Sequence, residues 1–308
     1  MGEESGKTIV GMSGVGESIY ETLKRLGLAN DATKSVLSTR TRDVPDLPVF
    51  RDETSGVIFI DRHYVGDDAY RSGAYRQETA PSIERPKRDL EDCLDTERRL
   101  DRYKQFVIGK NVCDFGCGRG AFLRSAKDLA ESVVGVELQR DFADRLNKDA
   151  IQCVSGIDSV ENLLDSVFMF HSLEHLPNPS KTLKSIRAKL KEGGGGKIII
   201  EVPHAKDFLM ENMSCQAFQE FTLWSQHLVL HTRQSLKAFL QDAGFRSISI
   251  EGVQRYGLAN HLNWLRHAAP GGHKTSLSVL ETAALKSSYA DALSKLDAND
   301  TLVAVAST

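Results

Sequence analysis

Three observations predict an α/β protein whose largely parallel sheet is covered by helices on both faces. From about residue 107 onward, short apolar runs alternate with amphipathic stretches of helical length, the pattern of buried strands joined by crossover helices. The first run leads directly into Asp114-Phe115-Gly116-Cys117-Gly118-Arg119-Gly120, a turn whose glycines let backbone approach a ligand with no Cβ in the way. Glu137 closes the next run, Val133-Val134-Gly135-Val136, where an acid is placed to accept hydrogen bonds from both hydroxyls of a ribose.

The first strand is expected over 107–113 and the next over 133–136, with a third near 151–154. Ser166-Val167-Phe168-Met169-Phe170 reads as the fourth. An amphipathic helix over 181–191 ends at a run of four glycines, and 197–202 forms the fifth strand. Thr232 is the expected N-cap of a helix reaching Ala243, with Gly244 as its stop signal. Residues 247–250 and 301–306 supply strands six and seven. Ahead of this domain, residues 1–106 read as a cap region: weakly ordered at first, helical from about Ser18 to Leu26, then a hairpin from 47–50 and 57–60. Residues 84–105, dense in charge, read as a solvated amphipathic helix leading into the core.

The bulk composition narrows the class. Hydrophobic residues are 41% and charged residues 26% of the 308-residue chain, as in an ordinary globular protein. No apolar stretch approaches a membrane span and no signal-peptide core opens the chain, so a cytoplasmic location is expected. A net charge of −3 and the lack of a Lys/Arg run lower the case for a nucleic-acid partner. Five scattered cysteines without C-x-x-C read as reduced thiols.

The glycine turn differs from the dinucleotide pattern G-x-G-x-x-G, because an Asp stands two residues before the first glycine of Gly116-Cys117-Gly118-Arg119-Gly120. Asp-x-Gly-x-Gly-x-Gly resembles motif I of class I S-adenosylmethionine-dependent methyltransferases. The resemblance implies a Rossmann-like seven-stranded sheet with the last strand antiparallel between the fifth and sixth. Residues 107–308 would form that domain, with 254–300 as a substrate-covering insertion. It implies S-adenosylmethionine as cofactor and S-adenosylhomocysteine as product. Asp114, Phe115, Gly116, Gly118 and Gly120 would hold the methionine end and Glu137 with Leu138 the ribose. Gly156, Ile157 and Asp158 would border the adenine, and Phe170 and His171 would wall the site.

His171-Ser172-Leu173-Glu174-His175-Leu176-Pro177 resembles the block that follows the fourth strand in small-molecule methyltransferases. There Glu174 and His175 are expected to start the next helix. Some relatives, including small-RNA 3′-end methyltransferases, hold a divalent ion with Glu-x-x-Glu-His and a downstream histidine. Here His171 replaces the first carboxylate, which weakens a hard-cation site and suits a softer metal, with His227 or His231 downstream; no metal ligand is assigned from the sequence. The general base is expected among His175, His204 and His227, because imidazole takes a proton near neutral pH.

Arg255, Tyr256, Asn260, His261, Trp264 and His273 lie in the expected insertion, which resembles the carboxy-terminal insertion of methyltransferases encoded among bacterial surface-polysaccharide genes. Donors, acceptors and a stacking face together suit a sugar or nucleotide-sugar acceptor. The expected activity is methyl transfer to a hydroxyl or carbon of such a small molecule. An RNA or protein methyltransferase, or a non-catalytic cofactor-binding partner subunit, are the alternatives.

Overall fold

A computed structural model describes residues 17–74 and 85–308 of the chain; the weakly ordered start expected of the amino terminus lies outside these residues. α1 (Ile19–Arg25) begins with a reciprocal cap, in which the Ser18 hydroxyl accepts the Glu21 amide and the Glu21 carboxylate accepts the Ser18 amide. β1 (Lys34–Ser38), β2 (Val49–Asp52) and β3 (Ile58–Phe59) follow as antiparallel neighbours. The expected hairpin is β2–β3, and β1 adds a strand the sequence did not signal. A short α2 (Asp67–Ser72) precedes α3 (Arg85–Tyr103).

The large domain then runs β4 (Asn111–Phe115), α4 (Ala121–Ala126), β5 (Ser132–Val136), α5 (Arg140–Lys148), β6 (Gln152–Val154) and β7 (Ser166–Phe170). It continues with α6 (Pro179–Lys189), β8 (Lys197–Pro203), α7 (Gln216–Thr222), β9 (Val229–Leu230) and α8 (Arg233–Asp242). β10 (Arg246–Val253), α9 (Leu258–His267), α10 (Ala283–Lys295) and β11 (Thr301–Ser307) complete it. The seven-stranded sheet has the order β10-β11-β8-β7-β4-β5-β6. β11 runs antiparallel to both of its neighbours, β8 and β10, as expected of the last strand. The strand order reverses direction at β4 and β7, so a crevice opens at their carboxyl ends.

Alternate residues of the central strands face opposite layers. Val112, Phe168, Ile199 and Val303 pack beneath Tyr103 of α3 and Phe122 of α4. Cys113, Val167, Ile198 and Ala304 pack against Leu183 of α6 and Phe239 of α8. The cap is joined to this domain by backbone: β3 pairs with β9, a strand from the second half of the chain, and the Ile60 amide donates to the Leu228 carbonyl at 3.0 Å.

Three local expectations are corrected. Val107 is fully buried but precedes the strand, because the chain turns through Gly109 at φ 63° and β4 starts only at Asn111. Glu174 and His175 lie on a single 3-10 turn, Leu173–His175, and the following helix begins later, with Pro179 in its first turn. The segment read as a solvated helix is a wall of the core. Thr96 and Tyr103 of α3 are buried, and Arg98 and Arg99 reach inward to the buried Glu201 of β8.

Glu201 of β8 explains that orientation. It is fully buried on the face beneath α3, where an unpaired carboxylate would be costly. Arg98 donates to both of its oxygens at 2.9 Å, Arg99 donates to Oε2 at 2.9 Å, and the Tyr103 hydroxyl donates to Oε1 at 2.8 Å. Burial alone would raise its pKa, but the two guanidiniums hold it well below the usual carboxylate range. Glu201→Gln removes the charge that compensates Arg98 and Arg99. It is expected to cost about 3–5 kcal/mol and to lower Tm by roughly 10 °C in a calorimetric scan at pH 7. A lowered folded pKa gives stability that is present above about pH 4.3 and is lost as pH falls further. The difference between the two proteins should therefore shrink in acid.

Candidate functional site

Two cavities lie at the carboxyl ends of β4 and β7. The first, of about 210 Å³, is walled by Asp114, by the loop from Gly116 to Phe122, by Phe170, and by Asp92, Thr96 and Arg99 of α3. The loop conformation requires glycine. Gly116 has φ 77°, and a Cβ there would come within 2.7 Å of the Ser172 Cβ. Gly120 has φ 74°, and a Cβ would meet Leu146 at 2.3 Å. Glu137 holds the loop from behind, accepting the Gly118 amide on Oε2 and the Gln139 amide on Oε1, both at 2.8 Å.

Asp114 is the polar centre of this cavity. It is buried, and its Oδ1 has no hydrogen-bond partner among the described residues. Burial raises its pKa to about 7, against the pull of Arg99 and with a further push from Glu137. A buried acceptor without a donor suits a cationic ligand group such as the ammonium of a methionyl moiety, next to glycine backbone that can approach the remainder.

Of the expected cofactor residues, Asp114, Gly116, Gly118, Gly120 and Phe170 stand on the wall of this cavity, and Phe115, Glu137, Leu138, Gly156, Ile157 and Asp158 do not. Phe115 offers its carbonyl to the Ser172 hydroxyl at 3.0 Å. Gly156, Ile157 and Asp158 lie at a short turn after β6, with the Ile157 side chain in the core. His171 faces the second cavity. The sequence reading missed Asp92, Thr96 and Arg99; Arg99 lies over the Phe170 ring at 4.2 Å. Their spacing along one helical face was a usable signal, but charge density made that face read as solvated.

The second cavity, of about 300 Å³, lies past the end of the same strand: Phe170 walls the first and the next residue, His171, walls the second. His175, His204 and His227 all stand on its wall. Each places Nδ1 within hydrogen-bond distance of a backbone carbonyl: His175 on Gln226 at 2.8 Å, His204 on Asn299 at 3.0 Å and His227 on Thr222 at 2.9 Å. A carbonyl only accepts, so Nδ1 carries a proton in all three, and in a neutral ring the lone pair is then on Nε2. Burial lowers the pKa of His204 to about 4 and that of His227 to about 3, the latter helped by His175. All the same, His231 is no part of this wall; it is buried against Phe239 with Nδ1 on the Ser235 hydroxyl.

His171 is neutral too. Arg255 donates to its Nε2 at 3.1 Å, and Arg255 is itself clamped by Asp95 of α3 through two contacts. Burial first, then Arg255, drives the His171 pKa far down. Glu174 is buried, its Oε2 has no partner among the described residues, and burial raises its pKa to about 8. Arg255, Tyr256, Asn260 and His261 wall the cavity together with Phe218, Phe221 and Asp300. Trp264 does not reach it; the ring is buried behind Phe218 and Phe221 at 5.4 and 5.2 Å. His273, on the turn Gly272–Lys274, is likewise off both walls.

A family model described as a methyltransferase domain matches residues 70–250, more than half of the chain. The chain belongs to the class I S-adenosylmethionine-dependent methyltransferases. Similar curated proteins include the ubiquinone biosynthesis O-methyltransferase of Shewanella halifaxensis, 28% identical over 106 residues, which are 31% of this chain and 45% of that protein. The protein of the same name from Xanthomonas euvesicatoria is 29% identical over 99 residues, 29% of this chain and 41% of its own length. The chain thus spans less than half the length of these relatives. A crystal structure of a SAM-dependent methyltransferase from Archaeoglobus fulgidus superposes with a TM-score of 0.50 at 22% identity, covering 70% of this chain and 94% of that one, and shows the shared fold.

The methyltransferase cofactor carries the cation that Asp114 lacks. Asp114→Asn is expected to weaken S-adenosylmethionine binding by roughly 10–100-fold, read by calorimetric titration. The cofactor-free carboxyl titrates at about pH 7, so wild-type affinity should fall as pH drops below 7, where the acid is neutral. That slope should be absent from the variant; a slope of equal size in both proteins would assign it to another group.

Proposed function

We propose that this methyltransferase transfers a methyl group to a hydroxyl of a small polyhydroxylated acceptor, a sugar or nucleotide-sugar precursor of a surface glycan. The observation that carries the reading is the second cavity. The neutral imidazoles of His204 and His227, with their lone pairs on Nε2, share its wall with Arg255, Tyr256 and Asn260, next to the cofactor cavity in sequence at Phe170 and His171. Donors and acceptors around a half-open cavity favour a ligand rich in hydroxyls. The net charge of −3 supports a small acceptor over nucleic acid.

When bound, S-adenosylmethionine supplies an electrophilic methyl group on a sulfonium. Asp114 and the loop from Gly116 to Gly120 hold its methionine end, and Arg99 with Phe170 closes the cavity over it. Arg255, oriented by Asp95, and Asn260 position the acceptor for in-line approach, which supplies much of the rate. His204 takes the hydroxyl proton on Nε2. It stands apart from His175 and His227, whose rings face each other with centroids 5.2 Å apart, and its Nε2 is buried with no partner among the described residues. The acceptor oxygen gains the carbon, the sulfur keeps the bonding pair, and S-adenosylhomocysteine leaves.

A second reading, a phenolic hydroxyl acceptor, is supported by Phe218 and Phe221 on the wall and by the O-methyltransferases among the relatives. Methyl-labelled cofactor and a bacterial extract resolved into nucleotide sugars, polysaccharide, lipid, RNA and protein separate the readings. Label in the sugar fractions is expected; label in lipid quinones would select the phenolic reading, and label only in RNA or protein would sink both. With the acceptor in hand, His204→Gln should lower kcat by about 10²–10⁴-fold and leave cofactor affinity unchanged.

A further inference from the structure

We infer that Cys117 and Cys153 are a redox-sensitive thiol pair: hydrogen peroxide joins them as a disulfide, and the glycine loop so held binds S-adenosylmethionine less tightly. Backbone brings the two residues to one place. The Cys117 amide donates to the Val136 carbonyl at 3.2 Å, which folds the loop after β4 over β5. Cys153 of β6 is the register partner of Gly135, the residue before Val136. Neighbouring strands lie only about 4.8 Å apart, so both cysteines flank a single position of β5.

That position is glycine for reasons of space. A Cβ on Gly135 would lie 2.8 Å from the Cys117 sulfur and 3.2 Å from the Cys153 sulfur. The two sulfurs therefore converge on the gap that this absent carbon leaves. Leu123, Leu146 and Ile151 close the cluster around them. Both cysteines are free thiols in this structure. Cys113, on β4, faces the opposite layer with Leu183 and Phe239, and burial pushes its thiol pKa up.

The two thiols differ in access and in acidity. Cys117 is partly exposed and stands on the wall of the cofactor cavity, so a small oxidant reaches the pair from there. Cys153 is buried, and the adjacent Cys117 thiol lowers its pKa against the effect of burial. The thiolate is the nucleophile. Cys153 attacks one oxygen of hydrogen peroxide, expels hydroxide and becomes a sulfenic acid. The Cys117 sulfur then attacks the Cys153 sulfur, the S–S bond forms and the second oxygen leaves as water. Two electrons pass from the thiols to the peroxide, and the two thiol protons complete two waters.

Cys117 sits between Gly116 and Gly118, whose φ values of 77° and 55° shape the loop. A bond to β6 draws the middle of this loop back from the cofactor cavity. Disulfide and cofactor therefore oppose each other, and the opposition is reciprocal.

The test uses the reduced full chain and a small molar excess of hydrogen peroxide. Peptide mass spectrometry after alkylation maps the disulfide. Calorimetric titration reads S-adenosylmethionine affinity before oxidation, after it, and after dithiothreitol. A Cys117–Cys153 disulfide is expected, with affinity lowered by about tenfold and restored by the reductant. Saturating cofactor during oxidation should reduce the yield of the disulfide. Cys153→Ala should bind cofactor as the reduced wild type does and lose no affinity on oxidation, while Cys215→Ser should respond as the wild type. If Cys153→Ala does not fold, Cys153→Ser takes its place, and the mapping on the wild type still decides the pairing. Absence of a disulfide, pairing through another cysteine, or a Cys117–Cys153 disulfide that leaves affinity unchanged would overturn the inference. None of these readings depends on the identity of the acceptor.

Discussion

A single carboxylate with no access to water, Glu201, sets the arrangement on which both cavities depend. It projects from β8 into the layer that otherwise holds Phe168, Ile199 and Val303, and a charge there persists only if it is matched. Arg98, Arg99 and Tyr103 match it, and all three come from α3. The helix is thereby fixed in rotation as well as position. Arg99 is laid over Phe170, Thr96 and Asp92 face the glycine loop, and Asp95 reaches Arg255 on the far side of the crevice. An apolar residue at 201 would let the helix pack, but it would not specify which face packs.

The same logic of paired buried groups runs through the second cavity. His204 and His227 are held neutral by burial and are aimed by backbone carbonyls, so they present lone pairs where protonated rings would present charge. Arg255 supplies the positive charge, and its own orientation is fixed by Asp95 on α3. Asp300 adds to the frame by accepting the Arg255 and Tyr256 amides at 2.9 Å. The insertion between β10 and β11 is thus tied to the sheet by its first residues, and α9 carries Asn260 and His261 into the wall.

The amino-terminal region takes part in this construction through β-pairing. β3 joins β9, and the segment just before β9 carries His227 and Trp224. Arg42 lies over the Trp224 ring at 4.8 Å, and its amide donates to the Leu223 carbonyl at 2.8 Å. The cap therefore braces one wall of the second cavity from outside, and its stability and the position of His227 are linked.

Periodicity and glycine placement made the sheet, its crossovers and the cofactor loop legible in the sequence, because they are local consequences of side-chain spacing and allowed backbone angles. The glycines from Gly116 to Gly120 were reached in that way, whereas the antiparallel last strand and the role of Asp114 were implied by the resemblance to methyltransferase motif I. Contacts between segments distant along the chain were not. Arg98 and Arg99 meet Glu201 about a hundred residues on, and only that meeting turns an apparently solvated helix into a wall. Trp264 looked like a ligand platform but packs behind Phe218 and Phe221, since an aromatic ring gains as much from burial as from stacking. The sequence by itself determined the α/β fold and the glycine loop after its first sheet strand, through rules that act over a few residues. Only the tertiary structure decided which charges are buried, which imidazole nitrogen carries the proton and which histidines face each other, because each depends on partners brought together by folding.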